Sequence, residues 1–448
     1  MSSPLQVVEL FSGIGSQARA LRNIGANIRI AATCEWDIHA IVAYDLIHNR
    51  TDRIEPEFAK MNSEQLFKTL LALKISSEGK RPMDRNTLHA LSDNSKRRIL
   101  SAIKRTKNLV NIQDVKGGDL PLRIDIMTYS FPCQDLSNVG ALHGYNKGIA
   151  RDAGNRSCML WEVERLLKER HAIGMTLPKF LLMENVPTLL SDRHKKNFDE
   201  WISVLRELGY HSKYFRLNAT QFGCPQNRYR MLMISTYVGG RSDIVERLDN
   251  FYKTHDLENA EFRKTLKIKK TTLRSCLHRN YTRRNYLDEA LACQPNDTPS
   301  RRTIWDENLQ IVGSDGLLLT DHVATITTKQ DRNPNSGNIF FDPNNGKSKY
   351  RFLTPRECLQ IMGFTEDDYE ILVDKDCWPS PKYSLFTRDK IHRLAGNSIP
   401  VKLLEPVFSL ILEIRDTGLS RTVPKKDCKS KKNCSKLLRR TYGRKKQW

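Results

Sequence analysis

The sequence contains no uninterrupted run of about 18 apolar residues, so it predicts no membrane-spanning helix. Its first residues, Met1 to Leu5, include neither a basic stretch nor a long apolar run, and we therefore expect no signal peptide. The ten cysteines include no Cys-x-x-Cys pair, which argues against a metal site and favours free thiols in a reducing cytosol. We find no internal repeat. Together these absences predict a cytoplasmic protein.

Positive charge, in contrast, is abundant. The 73 lysine and arginine residues outnumber the 51 aspartate and glutamate residues, and the formal net charge is +22. A field of this sign favours a polyanionic partner. Residues 421–448 hold 12 basic residues and one acidic residue, a composition typical of a disordered tail. The remaining 420 residues are enough for two lobes.

The N-terminal part of the chain shows the pattern of a strand, a glycine turn and a helix. Residues 6–10 form a short apolar run, and residues 16–21 have helical spacing. A second apolar run follows at 28–34, and a second helix continues through Ile47. This βαβ pattern predicts an α/β fold with a mostly parallel sheet and helices on both faces.

Further along the chain, strands are predicted at 124–129, 180–183 and 230–235. We expect the chemical motifs to lie just past the carboxyl ends of these strands, where open α/β sheets bind ligands. Residues from about 50 to 108 predict a helical insertion, and a helix carrying Ile99 is expected to be capped by Ser92 or Asp93. Residues 236–349 are rich in Asn, Thr, Arg and Gly and predict a loop-rich second lobe.

The glycine turn matches the fingerprint of nucleotide-cofactor sites. Gly13-x-Gly15-x-x-Ala18 is followed by Glu35 about 20 positions later. Glycines let backbone amides approach a ligand at a helix N-terminus, and a carboxylate can hold ribose hydroxyls. Phe11 and Trp36 offer flat faces for an adenine. This pattern alone fits NAD as well as another nucleoside cofactor.

Three further motifs carry reactive or charged groups. Cys133 follows a predicted strand in a polar setting, as a low-pKa thiolate requires. Glu184 stands at the end of a predicted buried strand, where desolvation is expected to raise its pKa and make it a proton donor. Arg228 and Arg230 are two residues apart on an extended segment and can grip phosphates or a carbonyl oxygen.

Pro132-Cys133-Gln134, Glu184-Asn185-Val186, Gln226-x-Arg228-x-Arg230 and Gly396-Asn397-Ser398 occur in this order along the chain. In these motifs and their order the sequence resembles the DNA (cytosine-5-)-methyltransferases of the bacterial restriction–modification or phage type. The resemblance covers nearly the whole chain. It implies a Rossmann-like fold that binds S-adenosylmethionine, with a smaller target-recognition domain.

The resemblance also implies a role for each matching position. The catalytic residues would be Cys133, Glu184, Arg228 and Arg230. The cofactor-binding residues would be Phe11, Gly13, Ile14, Gly15, Glu35, Trp36, Asp114, Val115, Pro132, Leu160, Asn397 and Ser398. The DNA-binding residues would be Gln134, Ser137, Gln226, Arg228, Arg230 and Thr325. Asp114 would contact the adenine of the cofactor.

The chemistry explains these residue types. In the reaction that the resemblance implies, a thiolate from Cys133 would add to C6 of a cytosine, Glu184 would protonate or hydrogen-bond N3, and C5 would become nucleophilic enough to accept the methyl group. A base would then remove the C5 proton and the thiolate would leave. Because these atoms are stacked inside duplex DNA, the cytosine must be flipped into the pocket. By resemblance, Arg230 would hold the cytosine O2 and Arg228 a nearby phosphate.

The resemblance also divides the chain. Residues 1–235 would form the catalytic and cofactor-binding domain, with the helical insertion at about 50–108. Residues 236–349 would form the target-recognition domain, 350–420 a supporting segment that returns to the catalytic domain, and 421–448 the basic tail. We expect a monomer in the bacterial cytosol or nucleoid, or a phage-encoded protein, acting on double-stranded DNA beside a restriction endonuclease that it need not contact.

Three alternatives stay open from the sequence. A tRNA cytosine-5 methyltransferase of the same fold usually carries Phe-Thr after the Pro-Cys, whereas Gln134-Asp135 follows here. An NAD-dependent oxidoreductase would explain the glycine turn but not the Pro-Cys-Gln and Glu-Asn-Val motifs. A DNA-binding module without activity is disfavoured, since every catalytic position is filled.

Overall fold

The computed structural model describes residues 3–132, 136, 149, 151, 156–374 and 384–419. The predicted site residues Cys133, Gln134 and Ser137 lie outside the described residues, as does the basic tail 421–448.

Strands of the described part form one large and one small sheet. The strands are β1 (Leu5–Leu10), β2 (Ile28–Cys34), β3 (Ile126–Tyr129), β4 (Phe180–Asn185), β5 (Tyr210–Asn218), β6 (Tyr229–Tyr237), β7 (Gln310–Val312), β8 (Asn338–Phe340) and β9 (Tyr350–Phe352). The large sheet has the order β2-β1-β3-β4-β6-β5, and the small sheet the order β7-β8-β9.

The predicted mostly parallel sheet is confirmed. Strands β1, β2, β3 and β4 pair in parallel. Strand β6 runs antiparallel to both of its neighbours, β4 and β5. The sequence did not reveal β5.

Helices connect the strands and cover both sheet faces. Those up to the third strand are α1 (Ser16–Asn23), α2 (Ile38–Asn49), Pro56–Ala59, Ser63–Ala72, Arg85–Ala90 and Asp93–Arg105. Later helices are Leu160–Ala172, Asp192–Glu207, Ser242–Thr254, Ala260–Thr265, Leu273–Cys276, Arg284–Ala292, Pro299–Glu307, Pro355–Met362, Glu366–Val373, Arg388–Asn397 and Val401–Asp416.

The central strands of the large sheet, such as β1 and β4, contribute side chains to two hydrophobic cores, one on each face of the sheet. Val7 and Leu182 belong to the first core, which also contains side chains of α2, the insertion and the C-terminal helices. Val8 and Met183 belong to the second core, with side chains of the helices Leu160–Ala172 and Asp192–Glu207. This alternation follows from the two-residue period of a strand buried on both faces.

Residues 56–105 are helical, as expected, and they pack onto the first hydrophobic core; that they form an insertion stays a prediction. The last of these helices, Asp93–Arg105, begins after Ser92, whose side chain accepts a hydrogen bond from the N–H of Ser95 at 3.1 Å. Ile99 and Leu100 of this helix are buried in the first core.

The region 236–349 contains more helix than its composition predicts. The Asn and Thr residues that resemble loop residues are in part N-caps: Asn259, Thr272 and Thr298 each accept hydrogen bonds from the N–H groups of the helix that follows. The helix Ser242–Thr254 packs into the first core through Leu248 and Phe251. Tyr252 of the same helix lies against Phe215 of β5, with ring centroids 6.1 Å apart, and the domain boundary at 236 stays a prediction.

Candidate active site

The turn between β1 and α1 depends on residues in the left-handed backbone region. Phe11, Gly13 and Gly15 have φ angles of 55°, 52° and 80°. A Cβ at Gly15 would lie 2.2 Å from Nε2 of His48, whereas a Cβ at Gly13 would have no neighbour within 4 Å. The buried Ile14 offers its carbonyl oxygen to the same His48 Nε2 at 3.0 Å. Gly15 is thus required by packing, and Gly13 borders open space that a ligand can occupy.

Glu35 joins the glycine turn to residues 36 and 37, which follow it. Its Oε2 accepts a hydrogen bond from the N–H of Gly13 at 3.0 Å. Its Oε1 accepts from the N–H groups of Trp36 and Asp37 at 2.8 and 2.9 Å. Burial raises the pKa of Glu35 to about 7, and the negative charge of Asp37 adds to this effect. The structure therefore brings the glycine turn and the predicted cofactor residues Glu35 and Trp36 into direct contact.

The other predicted cofactor residues differ in their exposure. Asp114 ends a short 3-10 turn and is half exposed, while Val115 and Leu160 are buried in the second core. Pro132 is partly buried, Asn397 is exposed, and Ser398 is buried with its Oγ donating to the carbonyl of Leu394 at 2.8 Å. Their contacts with a cofactor stay predictions.

A carboxylate, a guanidinium and a hydroxyl meet where β3, β4 and β6 come together. Oε1 of Glu184 lies 2.8 Å from Nε of Arg230, and both side chains are mostly buried. Oε2 of Glu184 accepts a hydrogen bond from the hydroxyl of Ser130, which directly follows β3. The next residue along the sheet, Asn185, donates from Nδ2 to the carbonyl of Phe131 at 3.2 Å. These contacts fix the position of the predicted acid.

We expected every motif to lie just past the carboxyl end of a strand. This prediction is wrong for Gln226-x-Arg228-x-Arg230. Arg230 is the second residue of β6, so it stands at the amino end of that strand. Because β6 runs antiparallel to β4, its amino end meets the carboxyl end of β4, and Met231 pairs with Asn185. Glu184 and Asn185 are the last residues of β4 rather than residues after it.

Arg228 and Arg230 do not share one environment, although they are two residues apart. The buried guanidinium of Arg228 donates to the backbone carbonyls of Ile326, Gly396 and Ser398 at 2.7, 2.9 and 3.0 Å. These contacts join the arginine motif to the Gly-Asn-Ser motif and to residues 325–326. They support a structural role for Arg228, and its predicted phosphate contact stays a prediction.

Gln226 and Thr325 also hold protein segments together. The Oε1 of the fully buried Gln226 accepts from the N–H of Ile326 at 2.9 Å, and Oγ1 of Thr325 donates to the carbonyl of Asn227 at 2.8 Å. A Cβ at Gly396 would lie 2.5 Å from the backbone of Thr327. The glycine therefore permits a close approach between the last motif and the segment carrying Thr325.

Two side chains near the site, Ser130 and Glu9, were not predicted from the sequence. Ser130 contacts Glu184, and its position directly before Phe-Pro-Cys was the available signal. Glu9 is fully buried below the glycine turn, where it accepts from the N–H of Ala18 at 3.0 Å and from the hydroxyl of Tyr44. A charged residue within a mostly apolar strand was the signal for Glu9. Burial raises its pKa to about 7.

We expect Glu9 to make the stability of the fold depend on pH. Its pKa is raised from 4.5 to about 7, so between these values the folded state keeps a proton that the unfolded chain releases. The contribution of Glu9 to the free energy of unfolding should fall by up to about 3 kcal/mol as pH rises through this window. Glu9→Gln should therefore reduce the pH dependence measured by urea denaturation at pH 4.5 to 8, and the part that remains includes the contribution of Glu35, whose pKa is raised over the same range. Equal pH profiles for the two proteins would contradict the assignment.

Comparison with known proteins decides the family. The profile of the C-5 cytosine-specific DNA methylases matches residues 85–413. The chain belongs to this family. The resemblance inferred from the sequence is thereby confirmed, and methylation of cytosine C5 in DNA is supported over the tRNA alternative at the level of the family.

Two bacterial relatives show how far the similarity extends. The orphan methyltransferase M.SssI of Spiroplasma monobiae is 38% identical over 237 residues, which cover 52% of this chain and 59% of that protein. The type II methyltransferase M2.ScrFI of Lactococcus lactis subsp. cremoris is 30% identical over 414 residues, covering 90% of this chain and 98% of that protein.

The fold is shared with a solved methyltransferase. The crystal structure of the S. pombe Dnmt2 methyltransferase superposes with a TM-score of 0.55 at 18% identity, covering 92% of this chain and 99% of the other. This likeness confirms the Rossmann-like methyltransferase fold. In the described part of this chain, no helix is both long and apolar enough to cross a membrane.

Proposed function

We propose that the chain methylates C5 of cytosine within a defined sequence of double-stranded DNA, with S-adenosylmethionine as the methyl donor. The observation that carries this proposal is the cluster of Glu184, Arg230 and Ser130. It lies at the sheet edge formed by the ends of β3 and β4, the same edge to which β1 delivers the glycine turn.

The residues at the glycine turn fit the cofactor. Open space next to Gly13 leaves room for the ligand, and Glu35 stands against the same turn with its carboxylate oriented by backbone N–H groups. Such a carboxylate accepts hydrogen bonds from ribose hydroxyls. Trp36 is only partly buried, so its indole is available for stacking on adenine. When bound, S-adenosylmethionine would supply an electrophilic methyl group on a positively charged sulfur.

The roles of the reacting side chains follow from what cytosine requires. The thiolate of Cys133 would form a bond to C6, and the electrons of the C5–C6 double bond would shift toward C5. Glu184 would hold a proton at N3 and so stabilise the charge that develops in the ring. Arg230 keeps the Glu184 carboxyl in place and would reach the cytosine O2. After methylation, loss of the C5 proton to a base would expel the thiolate.

The DNA contacts form the finer part of this proposal. The target cytosine would be flipped out of the duplex, because its reacting atoms are inaccessible in stacked DNA. Gln134, Ser137, Thr325 and the residues of 236–349 would read or position the target. We further propose that the protein acts as a monomer and protects DNA against restriction, without obligatory contact with an endonuclease.

Trapping and transfer experiments test the function directly. The enzyme should transfer labelled methyl groups from S-adenosylmethionine to unmethylated double-stranded DNA but not to tRNA. Target DNA carrying 5-fluorocytosine should form a covalent, heat-stable adduct, because the fluorine cannot leave as a proton. Transfer to tRNA alone would favour the tRNA alternative. Transfer to DNA without any trapped adduct would refute the covalent step.

A further inference from the structure

Residues 74–79 form the segment of the helical insertion that lies beside the proposed cofactor pocket. The N–H of Ser76 donates to the carbonyl of Trp36 at 2.7 Å, and the N–H of Ile38 donates to the carbonyl of Ser76 at 2.8 Å. A Cβ at Gly79 would lie 3.9 Å from Nε1 of Trp36. The segment therefore forms the wall beside the indole that is expected to stack on adenine.

Arg393 connects this segment to the helix that leads into Gly396-Asn397-Ser398. Its NH2 group lies 2.6 Å from Oδ2 of Asp37 and donates to the carbonyl of Ser77 at 3.0 Å. Arg393 belongs to the helix Arg388–Asn397, which ends at the predicted cofactor residue Asn397. The side chain of Arg393 thus joins the insertion, Asp37 and the helix Arg388–Asn397.

Lys74 makes a contact of a different kind, with the side chain expected to bind adenine. Its Nζ lies 2.9 Å from Oδ1 of Asp114, and the two side chains are 53% and 50% exposed. Oδ2 of Asp114 faces Nδ2 of Asn111 at 3.3 Å, a long and weak hydrogen bond. The lysine therefore holds one carboxylate oxygen, and the other can accept a stronger donor.

The backbone conformation of Lys74 indicates that its contact with Asp114 is more than an incidental surface ion pair. Lys74 has a φ angle of 52° just after the helix Ser63–Ala72, a position at which glycine is usual because other residues are strained there. A lysine at such a position gives up backbone stability, and its side chain gains the contact with Asp114. Packing alone does not require a lysine, since half of the side chain is exposed.

We propose that Lys74 is a positioning residue for the cofactor, orienting Asp114 so that its second oxygen, Oδ2, accepts a hydrogen bond from the adenine amino group. This inference rests on the proposed function and assigns to the insertion a part in cofactor binding. Lys74 itself does not touch the reacting atoms. Its contribution should therefore appear in cofactor affinity and not in the rate of methyl transfer at saturation.

The test measures binding of S-adenosylhomocysteine by calorimetry and compares variants of the full chain. Lys74→Met should weaken binding about two- to fivefold, the range expected for an exposed ion pair. Lys74→Arg should restore affinity. Lys74→Gly should weaken binding equally while the melting temperature stays level or rises, because glycine relieves the backbone strain. Lys68→Met, which removes another exposed insertion lysine paired with Glu64 at 3.2 Å, should bind as the unsubstituted protein does.

Two further measurements identify the route of the effect. In an Asp114→Asn background, Lys74→Met should cause no additional loss of affinity for S-adenosylhomocysteine. For an S-adenosylhomocysteine analogue whose purine lacks the amino group, the Lys74 variants and the unsubstituted protein should have the same affinity. Unchanged affinity of Lys74→Met, or an equal loss in Lys68→Met or with the analogue, would overturn the proposal. Failure of the unsubstituted protein to bind S-adenosylhomocysteine would instead contradict the proposed function.

Discussion

Cys133→Ser is expected to abolish methyl transfer while binding of DNA and cofactor remains nearly intact. A hydroxyl has a far higher pKa than a thiol and does not supply a comparable nucleophile at neutral pH, so addition to C6 should not occur. The serine is close in size to the cysteine, so the flipped cytosine should still be accommodated. Single-turnover transfer of a labelled methyl group and a DNA-binding titration measure the two properties on the same preparation.

Three buried thiols of the described part should not replace Cys133. Burial raises the pKa of Cys276 to about 11 and those of Cys224 and Cys293 to about 12, which keeps them protonated at neutral pH. Cys276→Ser, which removes one of these thiols, is the matched control and should retain turnover. Measurable turnover by Cys133→Ser, or loss of the 5-fluorocytosine adduct in Cys276→Ser, would remove Cys133 from its proposed role.

The local elements were predictable because their signals are local. The apolar run of β1, the glycine turn and the spacing of α1 lie within 19 consecutive residues, and β2 occupies the predicted range 28–34. The Ser92 cap was likewise readable, since a cap depends on the next few N–H groups alone. Each of these features requires no knowledge of the remaining chain.

The direction of β6 was not predictable in this way. Strand β5 alternates only weakly, because much of its length is polar and half exposed, and it escaped detection. A helix, Asp192–Glu207, separates β4 from β5, whereas only residues 219–228 separate β5 from β6. The short connection makes β5 and β6 an antiparallel pair. Because β5 has no recognisable strand pattern, the sequence does not indicate that β6 reverses direction, and Arg230 therefore lies at the amino end of its strand rather than at the expected carboxyl end.

The environment of Arg228 was also beyond sequence reasoning. Its partners, at positions 326, 396 and 398, are separated from it by about 100 to 170 residues. Two arginines on one extended segment predict a shared charged edge. In the structure, tertiary contacts separate them: Arg228 is buried against backbone carbonyls, and Arg230 contacts Glu184. Such a division depends on where the C-terminal segment returns to the sheet.

Glu184→Gln is expected to lower the rate of the chemical step by about 10²- to 10⁴-fold, the usual loss for a general acid. Glutamine has nearly the same shape but cannot carry the proton that N3 requires. Its single amide oxygen also cannot satisfy both Arg230 and Ser130, so one of these donors would face the amide NH₂ group. Single-turnover rates at saturating DNA and cofactor measure the effect. Affinity for S-adenosylhomocysteine should change little, because Glu184 lies outside the contacts that join Gly13 and Glu35.

Ser130→Ala separates the proton-carrying role of Glu184 from its positioning. This variant removes one contact of the carboxylate but keeps the carboxyl group and its 2.8 Å contact with Arg230. We expect a loss of about tenfold or less, since a single hydrogen bond contributes on the order of 1 kcal/mol. If Glu184→Gln and Ser130→Ala slow the step equally, Glu184 acts only by holding its neighbours in place. A Glu184→Gln rate equal to that of the unsubstituted enzyme would mean that another group supplies the proton to N3.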